Sequence, residues 1–504
     1  MVGNRLHWSR VSATAIVAAF ALLAPVATSS AVAADLVVSQ GSEPLSFDPT
    51  QFATGNHVFL HQLYDALVVV GPDGSPQPAL AESWERSDDG LAVRFTLRQG
   101  AKFHSGRAIT ADDVAFTIKR YLTEEVGANL MERMESFTGV KVIDPQTFEI
   151  SLSSPTPGLF DLLSAVFVQD SEAIANIAKS DAGSGPYQLS AFEPGVSFEM
   201  TKVPGHWRAS ESGPDSIIVK ILPDEGSAAA ALEAGQVDLM LQASAQAAAN
   251  LDGVAGIEVV RSDAAPISYY LMANTERGAL ASQEVRLALQ RAIDRQAIAD
   301  VVYSGAAVPT CQPWSASHWA HDAALEDDCS FDIDAARSHL AASGETGVTL
   351  TVNAAIDSYS PGSSATAQIL QQSLAEIGVT LNIVTYEQAQ ARQLLLASDF
   401  DLLLHQYNEG GNDPQFIMPS GLYGPNGRAK FTSPEYEALI AKAGSTLDLE
   451  ARKVIYSDIS KLIIGSAFIM PIAPGVRALP MREGVQGVRL DASGFPVLTD
   501  VVLP

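Results

Sequence analysis

The sequence predicts an α/β protein with more than one core, and three features carry that reading. Strand-like and helix-like segments alternate from residue 348 to 405, the first two-thirds of the chain is rich in short strands, and 504 residues is long for a single domain. In the alternating stretch, 348–352 is strand-like, 365–377 helical with Gly378 as its stop, and 379–384 strand-like. A helix over 387–397 then leads into a strand over 400–405. Strands separated by helices pair in parallel, because a parallel neighbour needs a crossover, and the result is an open sheet.

Earlier in the chain, 36–39, 93–97, 147–152, 197–200 and 217–222 read as strands. Val93, Phe95 and Leu97 alternate with Arg94 and Thr96 after a turn marked by Asp88, Asp89 and Gly90, the pattern of a half-buried strand. Thr110 and Asp113 stand three apart before an apolar run, a capping box with Asp in place of Glu. Ser282 caps a helix carrying Val285, Leu289, Ala292, Ile293 and, further on, Ile298, Val301 and Val302, ended by Gly305. Asp332 caps another that stops at Gly344. No internal repeat is apparent.

With 58 acidic residues against 31 Lys and Arg, the formal charge is -27, which argues against nucleic acid or anionic lipid as partners. Arg5, His7 and Arg10 precede an apolar run over 11–23, and Ala31, Val32, Ala33 and Ala34 follow. This predicts an export signal cleaved after Ala33 or Ala34, with no cysteine there to take a lipid. The only two cysteines, Cys311 and Cys329, lie in a loop-like stretch. In an oxidising compartment they predict a disulfide worth about 3 kcal/mol in the chain-entropy model. A Cys/His metal site with His318 and His321 is the alternative, and it lacks the paired close spacings of a zinc site.

From Ala81 the chain reads AxxWxxxxDGxxxxFxLRxGxKFHxGxxxxADDVAF. Further on come SGPY at 184–187, His206-Trp207, ALEAGQVDL at 231–239, VRLALQRAIDRQAI at 285–298, FDIDAARSHLAASG from Phe331, and NDP at 412–414. In this order and spacing the chain resembles the family 5 extracellular solute-binding proteins, the peptide- and nickel-binding receptors of ABC importers. The resemblance implies a large, two-lobed periplasmic binding protein fold with an extra subdomain in lobe I and a hinge between lobes. After the signal, 1–34, lobe I would span 35–271 with a subdomain inserted over roughly 72–185. Lobe II would span 272–476, and 477–504 would return to lobe I, with crossovers at 268–274 and 474–477. It also implies a periplasmic monomer that hands its ligand to an inner-membrane permease with cytoplasmic ATPase subunits, and that needs no cofactor.

Open α/β sheets bind ligands beyond the carboxyl ends of their strands. That points to 353–361 and 406–414, and the resemblance lands on the same loops. Dipeptide-binding relatives place an Asp where this chain has Gly410, with Glu409 adjacent, and an Arg where it has Asp357, ahead of Tyr359. The expected arginine clamp on a free carboxylate is missing, and Asp cannot replace its bidentate grip. Candidate ligand contacts are therefore Asp357, Tyr359, Tyr407, Asn408, Glu409 and Asp413, with Asn56 and His57 from lobe I. Asp357 and Glu409 would face an amine, a guanidinium or hydroxyls, or else are solvated loop acids. Asp413 has the alternative role of bracing its loop ahead of Pro414. His57 and His61, spaced i, i+4, would share a helix face, but no HExxH glutamate accompanies them.

The chain lacks GxSxG, SxxK, a Walker-type loop, GxGxxG and CxxC, and the acids Asp112 and Asp113 are adjacent, pointing apart. A receptor for peptides or a similar small polar solute is the reading, not an enzyme. The alternatives are a receptor for a non-peptide solute (an opine-like conjugate, a cationic amine compound, an oligosaccharide or a chelated metal) and, weaker, a secreted hydrolase with dispersed acids.

Overall fold

The computed structural model describes residues 35–44, 46–51, 57–71, 73–123, 132–178, 182–262, 267–356, 360, 362–408, 413–474, 477–491 and 495–504. Three sheets organise them. The largest has seven strands in the order Ile257–Ser262, Arg477–Arg482, Leu239–Met240, Asp35–Gln40, Ser216–Ile221, Ser197–Lys202 and Tyr187–Glu193. A five-stranded sheet runs Thr380–Tyr386, Thr349–Ala355, Leu402–Asn408, Ile267–Ala273 and Ile469–Pro474. The third has four antiparallel strands, Ala81–Arg86, Ala92–Leu97, Thr147–Leu152 and Phe137–Asp144.

Each sheet has its own apolar core. Leu36, Val38, Phe198, Ile217 and Leu479 pack beneath the seven-stranded sheet, and Val352, Leu370, Leu402 and Met470 on one face of the five-stranded one. The opposite face of the five-stranded sheet packs Tyr270, Leu403 and Ile469 against Trp314, Tyr456 and Ile459. The four-stranded sheet buries Val93, Phe95 and Leu97 as the alternation requires, against helix Ala111–Tyr121 and helix Leu159–Ser164.

The strand, helix, strand, helix, strand run is present as Thr349–Ala355, Ser363–Ala375, Thr380–Tyr386, Gln388–Ala397 and Leu402–Asn408, and its three strands pair in parallel. The helix expected to run from Ser282 toward Gly305 is instead two, Gln283–Arg291 and Arg295–Val302. The break has a cause in Asp294, whose carboxylate accepts the Ala297 N–H at 2.9 Å and starts a new helix. Asp332 caps Ile333–Ser343 in the same way, and Gly344 ends it with φ 74°.

The family motifs prove to be structural knots. Thr110 and Asp113 form the expected capping box, and the same buried Asp113 takes a forked grip from Arg107 at 2.6 and 3.0 Å. Arg107 also holds Asp170 at 2.6 Å, and Ser105 donates to that carboxylate. Burial pushes both carboxyls up, but the hydrogen bonds and the Arg107 charge hold them below the usual range. In the second knot, His206 Nε2 lies 2.8 Å from the Ser184 carbonyl and 3.2 Å from Asp65. Arg208 donates to Asp65 at 2.7 Å and to the His61 and Tyr64 carbonyls at 3.0 Å. SGPY and the His206-Trp207 pair are thus one packed joint, and Tyr187 completes it by donating to the Pro214 carbonyl at 2.7 Å.

Gly185 in this joint has no room for a side chain, because an added Cβ would overlap the backbone of Gln62 and Leu63 while its own N–H donates to the Leu63 carbonyl at 2.9 Å. Gly185→Ala is expected to destabilise the protein by about 2 kcal/mol or more, since backbone must move to accept it. Urea unfolding checks this against Gly195→Ala, a glycine with open space around it but φ 73°, where only the smaller left-handed penalty of about 1 kcal/mol applies.

Candidate ligand-binding cleft

Register decides where a ligand can approach the five-stranded sheet. Thr349–Ala355, Thr380–Tyr386 and Leu402–Asn408 are parallel, so their carboxyl ends share one edge. Strand Ile267–Ala273 runs against Leu402–Asn408 with Ile267 opposite Asn408, and Ile469–Pro474 runs against it with Pro474 opposite Ser268. The chain therefore enters this sheet at 267 and leaves it at 474 on that same edge. Residues 268–273 of the expected first crossover, 268–274, belong to a strand of this sheet.

The seven-stranded sheet answers this edge. Ser262 pairs with Arg477 at the end where the chain passes between sheets, and the carboxyl end of Asp35–Gln40 points the same way. The loop after Gln40 thus leaves the sheet at that same end. It is firmly held: Asp48, 4% exposed, accepts from Arg120 at 2.8 Å and from Thr50 at 2.6 Å. Tyr64 and Tyr121 donate to the Phe47 and Pro49 carbonyls at 3.0 and 3.2 Å.

Against this frame, Tyr407 and Asn408 end the strand Leu402–Asn408, at the edge expected for ligand contacts. Asp357, Tyr359, Glu409 and Asn56 lie outside the described residues. His57 opens helix His57–Leu63. Its partner in the expected i, i+4 pair, His61, stands edge-on to Phe167 and 3.7 Å from Asp491. Among the described residues, no group of three His, Cys, Asp or Glu gathers to hold a metal ion. Cys311 and Cys329 are bonded, with Cα atoms 6.1 Å apart.

Asp413 is committed inside the protein. It accepts the Gln415 N–H at 2.9 Å and is gripped by both terminal nitrogens of Arg452, one at 2.8 Å. Arg452 is 3% exposed and also sits over the Trp319 and Tyr456 rings. Asp413 thus braces its turn, its two oxygens accepting three hydrogen bonds from Gln415 and Arg452. The turn after it docks elsewhere too: Gln415 Oε1 accepts the Gly158 N–H at 2.6 Å, and Phe416 packs against the core of the four-stranded sheet. Arg452 was not legible as a partner, since in the sequence it is one more basic residue on a long helix, Leu449–Ser466.

Strand Leu402–Asn408 also carries a buried titratable pair that sequence reasoning passed over. His405 is 7% exposed and its Nδ1 lies 2.7 Å from the Tyr386 hydroxyl. Burial, with a smaller push from Arg428, lowers its pKa to about 4.

A family model for the bacterial extracellular solute-binding proteins, family 5, matches residues 75–428, most of the chain. The chain belongs to that family. Among individual proteins it is similar to Di/tripeptide-binding protein 1 of Pseudomonas aeruginosa, 28% identical with 92% of this chain and 93% of that one aligned. It is also similar to Heme-binding protein A of Haemophilus influenzae, 26% identical over 90% and 89% of the two chains. The solved structure of HbpA2 from Haemophilus parasuis has the same fold, with a TM-score of 0.84 at 24% identity, covering 93% of this chain and 100% of that one. The family 5 chain is thus a two-lobed periplasmic binding protein in fold, and its relatives are binding proteins, not enzymes.

Two outcomes are expected. Asp413→Ala leaves a buried guanidinium unpaired and should cost about 3 kcal/mol or more in denaturant unfolding. For His405 the folded pKa lies below the ordinary 6.5, so the unfolded chain binds the extra proton first. Stability should therefore fall as pH drops from 6.5 toward 4 and be regained as pH rises, by at most about 3 kcal/mol. The difference between the wild type and His405→Gln across that window isolates this contribution, and parallel pH profiles would refute it.

Proposed function

We propose that this chain is the periplasmic receptor of an ABC importer. It captures a peptide or similar small polar solute between its lobes and delivers the closed form to an inner-membrane permease driven by cytoplasmic ATPase subunits. The observation that supports this reading is directional: the three parallel strand ends of one sheet, and the carboxyl end of Asp35–Gln40 in the other, lie at the ends of their sheets where the chain leaves one sheet for the other. A ligand there touches both sheets' loops at once only when the lobes approach, so its differential affinity for the closed arrangement drives closure, as in the hinge-closing periplasmic binding proteins. The chain holds the ligand without catalysis, and we assign its first 34 residues to an export signal and its working place to the periplasm. Among the described residues no helix is long and apolar enough to cross a membrane.

For the ligand contacts we propose Tyr407 and Asn408 at the strand end, Glu409, Asp357 and Tyr359 in the two loops, and Asn56 and His57 across the cleft. A receptor for a non-peptide solute is the second reading. It is favoured by Gly410 and Asp357, which stand where dipeptide receptors carry their charged clamps, and by relatives named for ligands as different as heme and di- or tripeptides.

Native mass spectrometry of gently purified protein, followed by denaturing release, tests the proposal. Short peptides support the first reading, a single non-peptide compound the second, and turnover of a released compound would overturn both. For a ligand carrying an amine or guanidinium, Glu409→Gln is expected to weaken binding about tenfold or more, the size of a lost charge-assisted contact, with little change in melting temperature. Unchanged affinity in calorimetry would remove Glu409 from the site.

A further inference from the structure

The layer of the four-stranded sheet touches the layer of the five-stranded sheet along a seam, although in the chain strands of the seven-stranded sheet stand between them. Glycines on the four-stranded side receive apolar side chains from the other. A Cβ added to Gly74 would lie 3.0 Å from Cδ1 of Trp319, one at Gly90 2.8 Å from Cδ1 of Leu447, and one at Gly158 2.8 Å from Cε2 of Phe416. The glycines belong to separate turns: Gly74 between Val68–Val70 and Pro76–Pro78, Gly90 between Ala81–Arg86 and Ala92–Leu97, and Gly158 ahead of helix Leu159–Ser164. The incoming side chains also have separate origins, namely the disulfide-closed loop, the link before helix Leu449–Ser466 and the turn after Asp413.

This seam is a contact between two cores and not a core of its own. Trp319 and Phe416 are half-buried and Leu447 is 38% exposed, and a hollow of about 340 Å3 lined by Phe160, Trp319 and Leu447 remains beside them. Protein interiors are close-packed without such gaps, so the layers can part here without unpacking either core. The hydrogen bond across the seam, from the Gly158 N–H to Gln415 Oε1, is replaced by water when they part, at small net cost. Gln415 and Phe416 also follow directly on the segment 406–414 that carries proposed ligand contacts. Joining the seam therefore fixes the far end of that segment.

We infer that this seam is a latch, which holds the lobes together without ligand and sets the balance between closed and parted forms. Trp319, Leu447 and Phe416 rest on Gly74, Gly90 and Gly158 in the closed form and leave them when the lobes part. The purpose of the latch rests on the receptor reading above. Apparent affinity is the affinity of the closed form reduced by the fraction of protein that is closed. The latch thus tunes ligand affinity through side chains that touch no ligand, and a wedge placed in it opens the protein with the proposed ligand contacts intact.

Small-angle X-ray scattering of the full mature protein, freed of bound compounds by refolding from denaturant, tests the latch. Gly158→Leu inserts a wedge at a position whose φ is -79°, and Leu447→Ser removes an apolar contact. Each is expected to move the balance about tenfold toward the parted form, the scale of a partly buried leucine, and the two together about a hundredfold. The double variant should show a larger radius of gyration at unchanged circular dichroism, whereas Val301→Ser, 67% exposed and outside the seam, should not. If the wedge prevents folding, Leu447→Ser with Gln415→Ala takes its place. A folded double variant that scatters as the wild type does, or equal expansion of Val301→Ser, would overturn the latch. Scattering needs no ligand, so the latch fails separately from the receptor reading, which the compounds released in mass spectrometry decide.

Discussion

The antiparallel pairing of Ile267–Ala273 with Leu402–Asn408 is the constraint on which the cleft depends. The neighbouring strands are parallel and send their carboxyl ends to one edge, as crossover helices oblige them to. A strand joining in the opposite sense brings its amino end to that edge, and Ile469–Pro474, opposed to it in turn, brings its carboxyl end. Connections to the second sheet and the loops that meet solvent are thereby forced together. Had the inserted strand run parallel, the chain would enter the sheet on the far side and the loops would face nothing.

The elements whose residues act locally were legible in the sequence. Val93, Phe95 and Leu97 read as one strand face and are one, and Asp332 and Gly344 mark the ends of their helix by capping and left-handed geometry. The break at Asp294 was harder to see, because apolar spacing continues through it and only a side-chain hydrogen bond interrupts the backbone. Least legible were partnerships between distant segments. Nothing near Asp413 announces Arg452, nor anything near Gly185 the carbonyls of Gln62 and Leu63 that exclude a Cβ.

The same contrast separates the motifs from the candidate contacts. Asp113, His206 and Gly185 stand in the motifs that carry the family resemblance, and together with Arg107 and Asp65 they serve internal joints. The departures from dipeptide-binding relatives, Gly410 and Asp357, follow the strands Leu402–Asn408 and Thr349–Ala355 in the sequence. A framework fixed by buried ion pairs and close backbone approach tolerates changes in exposed loops, which is how one fold can serve ligands of unlike chemistry.

The loop closed by Cys311 and Cys329 presents Trp314, His318 and Trp319 as a stacked series, ending with Trp319 beside Gly74 and beneath Arg452. The crosslink thus restrains a strap that runs from Trp314, buried in the core of the five-stranded sheet, to Trp319 at the seam with Gly74. Material made where thiols stay reduced would keep its sheets and lose definition first along this seam, so two preparations with the same circular dichroism need not share the same stiffness between layers.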